Sequence, residues 1–292
     1  MNKRSAYSCG TPNGVRFGFT LIEILAVIAI IGLIAAATLV ALGGARGFFT
    51  SVTAKSRLDD VAQCLEMYKQ KFGEYPPDFC ATKAEIRKHI LKRWPRTLKS
   101  GNVDEMVDMA FDETAKEGVE PGASALFWLA GFPDEGDGQV AYDGFLADED
   151  NPFGIGLSDL GKEPRETPLI ELTFDGDGSQ GGNYNLQGLM FRGQPIVYFR
   201  SDYEGKDKHV GNLGVAAPYM KGGKWYNADS FQLILPGEDA SFGLHDEGRE
   251  DHEHGHSEEE PRDVSKPDSV TVADWDNIAN FTDGATLESE RE

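Results

Sequence analysis

From Phe19 to Leu42 the chain reads FTLIEILAVIAIIGLIAAATLVAL, 24 residues with a single charge at Glu23. A helix of that length rises roughly 36 Å at ~1.5 Å per residue, enough to cross the hydrocarbon of a bilayer. No face of the run is polar, which argues against a helix of a soluble core. The run is also too long for the apolar region of an ordinary secretory signal. Residues 19–42 are therefore expected to span a membrane. Glu23 is the anomaly, because a carboxylate inside such a span costs on the order of a few kcal/mol unless something neutralises it.

Composition limits what the rest can be. The chain has 292 residues, 28 Lys and Arg against 49 Asp and Glu, and a formal charge of −21. A field of that sign repels phosphate, so nucleic acid is not expected as a partner. Hydrophobic residues make up 40%, enough for a globular core even after the apolar run is set aside. Three cysteines, Cys9, Cys64 and Cys80, are too few for a disulfide scaffold.

Past Gly43, Gly44 and Gly47 the pattern turns amphipathic. Leu58, Val61, Ala62, Leu65, Tyr68 and Phe72 recur at steps of three and four, which predicts a helix with one buried face, ending at Gly73 before Tyr75-Pro76-Pro77. One long helix over 19–75 is expected, loosened or not at the glycines. Residues 81–150 read as a helical insertion. Ile86, Ile90, Leu91 and Trp94 form a stripe closed by Pro95, and helical stretches follow near Val103–Ala115 and Ser124–Ala130. The first of these is basic, with Lys83, Arg87, Lys88, Lys92, Arg93, Arg96 and Lys99 against Glu85. It reads as a solvated face, or as one facing an acidic neighbouring subunit. After Pro168 the period becomes that of strands: LIELTF (169–174), NLQGLMF (185–191), PIVYFR (195–200) and SFQLIL (230–235), separated by Gly, Asn and Asp turns. A helix followed by strands predicts an α+β body, a long helix packed on a small antiparallel sheet.

The leader sharpens this reading. MNKRSAYSCGTPNGVRFG carries Lys3, Arg4 and Arg16 and no acid. A basic leader ending in Gly18, then Phe19-Thr20-Leu21-Ile22-Glu23, resembles the cleavage and methylation motif of type IV prepilins and type II secretion pseudopilins. The run YKQKFGEYPPD (68–78) is similar to the helix exit of G-type pseudopilins, the major subunits of those secretion filaments. The resemblance covers 16–78, returns over 190–245 and 270–283, and is absent over most of 81–170. It implies a pilin-like fold, with a leader (1–18) removed between Gly18 and Phe19 by a prepilin peptidase that methylates the new amine of Phe19. It implies that Glu23 neutralises the amine of a neighbouring copy, so that both charges are buried only on assembly. The implied location is the inner membrane, single-pass, with the body (76–292) in the periplasm. The implied partners are lipid, further copies, minor pseudopilins and an inner-membrane secretion platform.

LPGEDASFG (235–243) and ADWDNIANF (273–281) resemble the C-terminal loop of G-type pseudopilins, where carboxylates and backbone carbonyls hold calcium. Asp239, Asp274 and Asp276 are the matching positions. Calcium suits several oxygens on a loop with little core, and ordinary turn and capping roles are the alternative for these three acids. Between the halves lies an acidic, His-rich loop (245–268), whose stretch 245–263 holds nine acids, two arginines and four histidines. It cannot build a core and is expected to be solvated. His252-Glu-His-Gly-His256 has the letters of a zinc-protease motif but no apolar side on which to fold, leaving at most loose metal binding. Gly176-Asp-Gly178-Ser-Gln-Gly181 has the letters of a dinucleotide fingerprint but opens no helix. Asp175, Asp177 and Ser179 begin like a calcium loop that lacks its closing glutamate. A hairpin turn explains both.

Cys64 and Cys80 face the non-cytoplasmic side in this topology, where a disulfide is permitted by compartment and thiols are the alternative. No nucleophile–base set stands in a supporting context, so an enzyme is not expected. The expected function is a structural subunit for protein secretion. The alternatives are a type IV pilin or minor pilin for adhesion or DNA uptake, or a membrane-tethered metal-binding protein using the His-rich loop.

Overall fold

The computed structural model describes residues 21–116, 119, 121–134, 141–142, 144–158, 163–170, 189–191, 194–201, 209–211, 214–243, 262–266, 270 and 274–291. Within the first helix, side chains are described at 21–32, 34 and 51–72. The chain divides into two compact units, Met1–Gly47 and Phe48–Glu292.

α1 (Leu21–Phe72) is a helix of 52 residues. Apart from Glu23, its described side chains in the first unit are apolar and exposed, the large ones from Ile24 and Val27 at 50% to Leu21 at 82%. In the second unit the pattern inverts. Ala54, Leu58, Val61, Leu65 and Tyr68 are buried at three- and four-residue spacing, with Ala62 and Phe72 packed at their flanks. That single stripe is the helix face the periodicity predicts.

The insertion supplies most of the helical layer. α2 (Lys83–Arg93) opens with a capping box in which the Thr82 hydroxyl accepts the Glu85 N–H and Glu85 accepts the Thr82 N–H at 2.7 Å. α3 (Thr97–Ser100) is a single turn, α4 (Val103–Thr114) packs on α2, and α5 (Ala123–Ala130) follows. All eight residues of α5 are buried, so this short helix is core throughout rather than amphipathic. The basic side of α2 faces acids of its own chain. Lys83 meets Asp108 at 2.7 Å, Arg87 meets Asp104, Lys92 meets Glu74 at 2.8 Å, and Arg96 beyond the helix meets Glu149 at 3.0 Å. Four of the seven bases expected to form a solvated or subunit-facing surface are thus paired within the chain.

The strands are short: β1 (Pro133–Asp134), β2 (Ala141–Tyr142), β3 (Met190–Phe191), β4 (Gln194–Pro195), β5 (Val197–Arg200), β6 (His209–Gly211), β7 (Gly214–Ala216), β8 (Tyr219–Lys221), β9 (Lys224–Trp225), β10 (Phe231–Leu235), β11 (Arg262–Asp263) and β12 (Ile278–Ala279). β1–β2, β3–β4 and β6–β7 are antiparallel pairs. The structural sheet is β5–β10–β12, antiparallel, with Leu233 opposite Tyr198 and Leu235 opposite Ile278. A second sheet, β11–β8–β9, departs from the expected antiparallel arrangement, because β11 joins β8 in parallel. Of the expected strands, 171–174 and 185–188 lie outside the described residues, and Leu169–Ile170 form a bend.

The central sheet is buried on both faces. Tyr198, Phe231, Leu233, Leu235 and Ile278 join the core containing the α1 stripe, α2 and α5, while Val197, Phe199, Ile234 and Ala279 join a second core with Tyr219, Phe242 and Leu287. Gln232 is the polar exception on β10. Fully buried, it accepts the Tyr219 N–H at 2.8 Å and donates to the Tyr219 and Tyr226 carbonyls at 2.9 Å, joining the second sheet to the first. The helix exit is fastened to the same sheet. The Tyr198 hydroxyl donates to the Pro76 carbonyl at 2.8 Å, and Asp78 accepts the Arg200 N–H at 2.9 Å. Lys55 of α1 reaches the Ala279 carbonyl at 2.6 Å.

If the α1 stripe organises the body, Leu65→Ala, at a fully buried site, lowers unfolding free energy by about 3 kcal/mol in urea. Leu98→Ala, at a site 66% exposed, changes it by less than about 0.5 kcal/mol. Equal effects would contradict that organisation.

Candidate functional site

Gly18 and Phe19 lie outside the described residues. Glu23 lies in the first turn of α1, where a carboxylate is favoured by the partial positive charge of unsatisfied backbone N–H groups. It is exposed among apolar neighbours, with Ile22 73% and Ile24 50% exposed. The chemistry available is that of one acid on an apolar helix surface, suited to meeting a cation that arrives with another apolar surface.

The second expected site is built where β10 ends and β12 begins, since their register places the segments after Leu235 and before Ile278 side by side. Two glycines permit the approach. A Cβ on Gly237 would overlap the Asp276 carboxylate, and one on Gly243 (φ +104°) would lie 2.6 Å from Asp274 Oδ2. The three carboxylates nevertheless take separate partners. Asp239 Oδ1 accepts the Ser241 N–H at 2.8 Å in a local turn. Asp276 Oδ2 accepts the Asp239 N–H at 3.1 Å, and burial pushes its carboxyl above the usual range. Asp274, fully buried, pairs with Arg262 and accepts the Tyr219 hydroxyl at 2.7 Å.

Arg262, Tyr219 and Asn277 were not legible as site residues. Arg262 is 3% exposed, and its Nη1 donates to Asp274, to the Phe242 carbonyl and, at 3.2 Å, to the Tyr219 hydroxyl oxygen. Its Nη2 donates to the Val215 carbonyl. Asn277 Nδ2 donates to the Tyr219 hydroxyl oxygen at 2.9 Å and to the Phe242 carbonyl at 3.3 Å. The one signal in the sequence was a lone arginine after Pro261, where the acidic run gives way to Val264. Its partners, 12 and 43 residues away, left no local pattern. The histidines, the Gly176–Gly181 letters and Asp175, Asp177 and Ser179 lie outside the described residues.

A third polar cluster sits beneath α2. His89, 2% exposed, has Nε2 2.7 Å from the Tyr68 hydroxyl and Nδ1 2.7 Å from Glu74. We assign the neutral tautomer with Nδ1–H donating to Glu74 and Tyr68 donating to Nε2. Arg93 then donates to the Tyr68 oxygen at 3.0 Å and to the Trp128 carbonyl at 3.1 Å. The two ends of the His89–Glu74 contact respond differently. Burial outweighs the pull of Glu74 and pushes His89 below its ordinary value, whereas the bond from His89 holds the Glu74 carboxyl down at about 2. Burial also lifts Tyr68 to about 12. Each group is held by neighbours from α1, α2 and α5, so the cluster acts as a polar tie through the core. Cys64, half-buried on α1, and Cys80, exposed in the turn beyond it, are both thiols in the structure, so the permitted bridge is not formed. Burial pushes the Cys64 thiol up.

Residues 15–39 match the prokaryotic N-terminal methylation motif, which places Gly18, Phe19 and Glu23 within the matched segment. No curated protein and no solved structure matches the chain. The chain thus carries the type IV pilin-like processing signal. That motif implies cleavage by a prepilin peptidase, assembly into pilin-like filaments and anchoring in a membrane. Among the described residues no helix is long and apolar enough to cross a membrane, and side chains 35–42 of the apolar run lie outside them.

Glu74 provides a pH signature for the core tie. A carboxyl held below its ordinary 4.5 contributes stability that is fully present above pH 4.5 and is lost as pH falls through about 2. Glu74→Gln is expected to cost about 1–2 kcal/mol at pH 7, allowing for solvent screening of a partly exposed group, with the difference from wild type vanishing near pH 2. Urea titrations at several pH values read this. A pH-independent difference would show that the charge is not involved.

Proposed function

We propose that this chain is a structural subunit of a type II secretion filament, a pseudopilin of the G type, drawn from the wider class of pilin-like proteins. The observation that carries the reading is the methylation motif over residues 15–39, running into a helix that ends buried in an α+β body. The helix exit at Gly73 to Asp78 and the paired loops at 235–243 and 273–281 support the G-type assignment by their resemblance. The cysteine positions, 9, 64 and 80, weigh against an adhesive pilin, since such pilins more often close their C-terminal region with a disulfide that these positions cannot form.

In this reading the peptidase cuts between Gly18 and Phe19 and methylates the new amine. The apolar run 19–42 holds the subunit in the inner membrane, and the body lies on the periplasmic side. Stacking the exposed apolar helix surfaces of successive copies removes them from lipid or water together. Glu23 of one copy then meets the Phe19 amine of the next. Mispaired registers would leave a buried carboxylate without a cation, at a cost of several kcal/mol, so the ion pair selects a single stagger. Growth of such a filament at a secretion platform pushes cargo outward, and the chain itself needs no chemistry for that work.

Glu23→Ala separates processing from assembly. The variant is expected to lose its leader like the wild type, read by mass, while its share of sheared filaments falls at least roughly tenfold. Wild-type filament yield from Glu23→Ala would sink the ion-pair role. Deleting the gene distinguishes the systems: the proposal requires loss of exoprotein secretion. Intact secretion with missing surface pili would assign the chain to adhesion or DNA uptake instead. Intact assembly and secretion with lost metal binding on deleting 245–261 would remove the metal-binding alternative.

A further inference from the structure

The loop pair that the resemblance reads as a calcium site does not have the donor set of one. A hard divalent cation needs six to eight oxygens directed at one point. Here Asp239 and Asp276 accept backbone N–H groups, and a carboxylate oxygen facing an N–H donor is already satisfied by a positive partner. Asp276 Oδ1 and Asn277 Oδ1 are buried without a hydrogen-bond partner, which offers two oxygens, far short of a shell. Asp274 has been drawn to a different centre.

That centre already contains a cation. The Asp274 carboxylate, the carbonyls of Val215 and Phe242 and the hydroxyl oxygen of Tyr219 all surround the guanidinium of Arg262. Four oxygens, two of them main-chain carbonyls, are shared between Nη1 and Nη2 of the one guanidinium. Guanidinium suits this set, being permanently charged, with planar donors that satisfy several acceptors at fixed angles. Asn277 completes the ring by bonding two of the same acceptors, Tyr219 and Phe242.

We propose that the Arg262 guanidinium is the resident cation of this loop, so that the C-terminal part of the body closes without a bound divalent ion. The same guanidinium ties β11 to the Phe242 carbonyl beyond β10, while β11 itself pairs in parallel with β8.

The test uses the full chain in detergent, stripped with EGTA, with thermal unfolding followed in EGTA and in roughly millimolar CaCl2. Wild type is expected to melt at the same temperature in both, within ~1 °C, and to release no binding heat on calcium titration. Arg262→Ala is expected to lower Tm by roughly 8 °C or more, since it strands a buried carboxylate and two carbonyls. A partial recovery of that variant in calcium would mark a cation vacancy and support the proposal. Should Arg262→Ala not accumulate folded, Arg262→Lys replaces it, with an expected intermediate Tm that is again insensitive to EGTA in the wild-type background. Calcium stabilisation of wild type that disappears in Asp276→Asn would overturn the proposal, as would an Arg262→Ala variant as stable as wild type.

Discussion

The body depends on one face of one helix. Ala54, Leu58, Val61, Leu65 and Tyr68 present a continuous apolar stripe, and α2, α5 and one side of the β5–β10–β12 sheet bury themselves against the core it anchors. At about 1.5–3 kcal/mol for each large side chain removed from water, the four large residues of this stripe contribute substantially to the stability of the body. The sheet can be buried on both faces because α1 covers one side and the C-terminal segments, through Phe242, Val264 and Leu287, cover the other. The polar tie of Tyr68, His89, Arg93 and Glu74 sits within the same contact, so the helix is held in register by directional bonds as well as by area.

How far the sequence told this story varied with the range of the interactions. α2 and α4 were readable because their apolar residues recur at helical spacing and Pro95 stops the first of them. β5 and β10 were readable as apolar runs between turn residues. α5 gave a weaker signal for a physical reason: burial on every side removes the polar face that makes amphipathicity visible. β11 was hidden in an acidic segment whose composition argues against any strand, and its pairing with β8 is parallel and distant. Asp276 meets the backbone of Asp239 where β10 ends and β12 begins, whereas the partner of Asp274 is Arg262, which no spacing rule connects to it.

Charge acquires a different meaning once partners are assigned. A formal −21 suggests a surface set against other acids, but many of the acids near α2 act within the chain, with Glu74, Asp104, Asp108 and Glu149 each meeting a base. Most such exposed pairs contribute little energy. Their effect is to draw Lys83, Arg87, Lys92 and Arg96 to acids of the same chain. The expensive charges are the buried ones, Arg262 with Asp274, and they are accordingly surrounded by oxygens and donors rather than left to a single contact.

At the other end of the chain the proposed function applies the same rule, that a buried charge needs a partner: cleavage after Gly18 would create an amine able to meet Glu23 of a neighbouring copy. The most direct test is the mass of the N-terminal peptide of the chain purified from its own membrane. Processing predicts that the peptide begins at Phe19 with one methyl group on its amine. A chain that keeps residues 1–18, or begins at any other residue, would contradict the account.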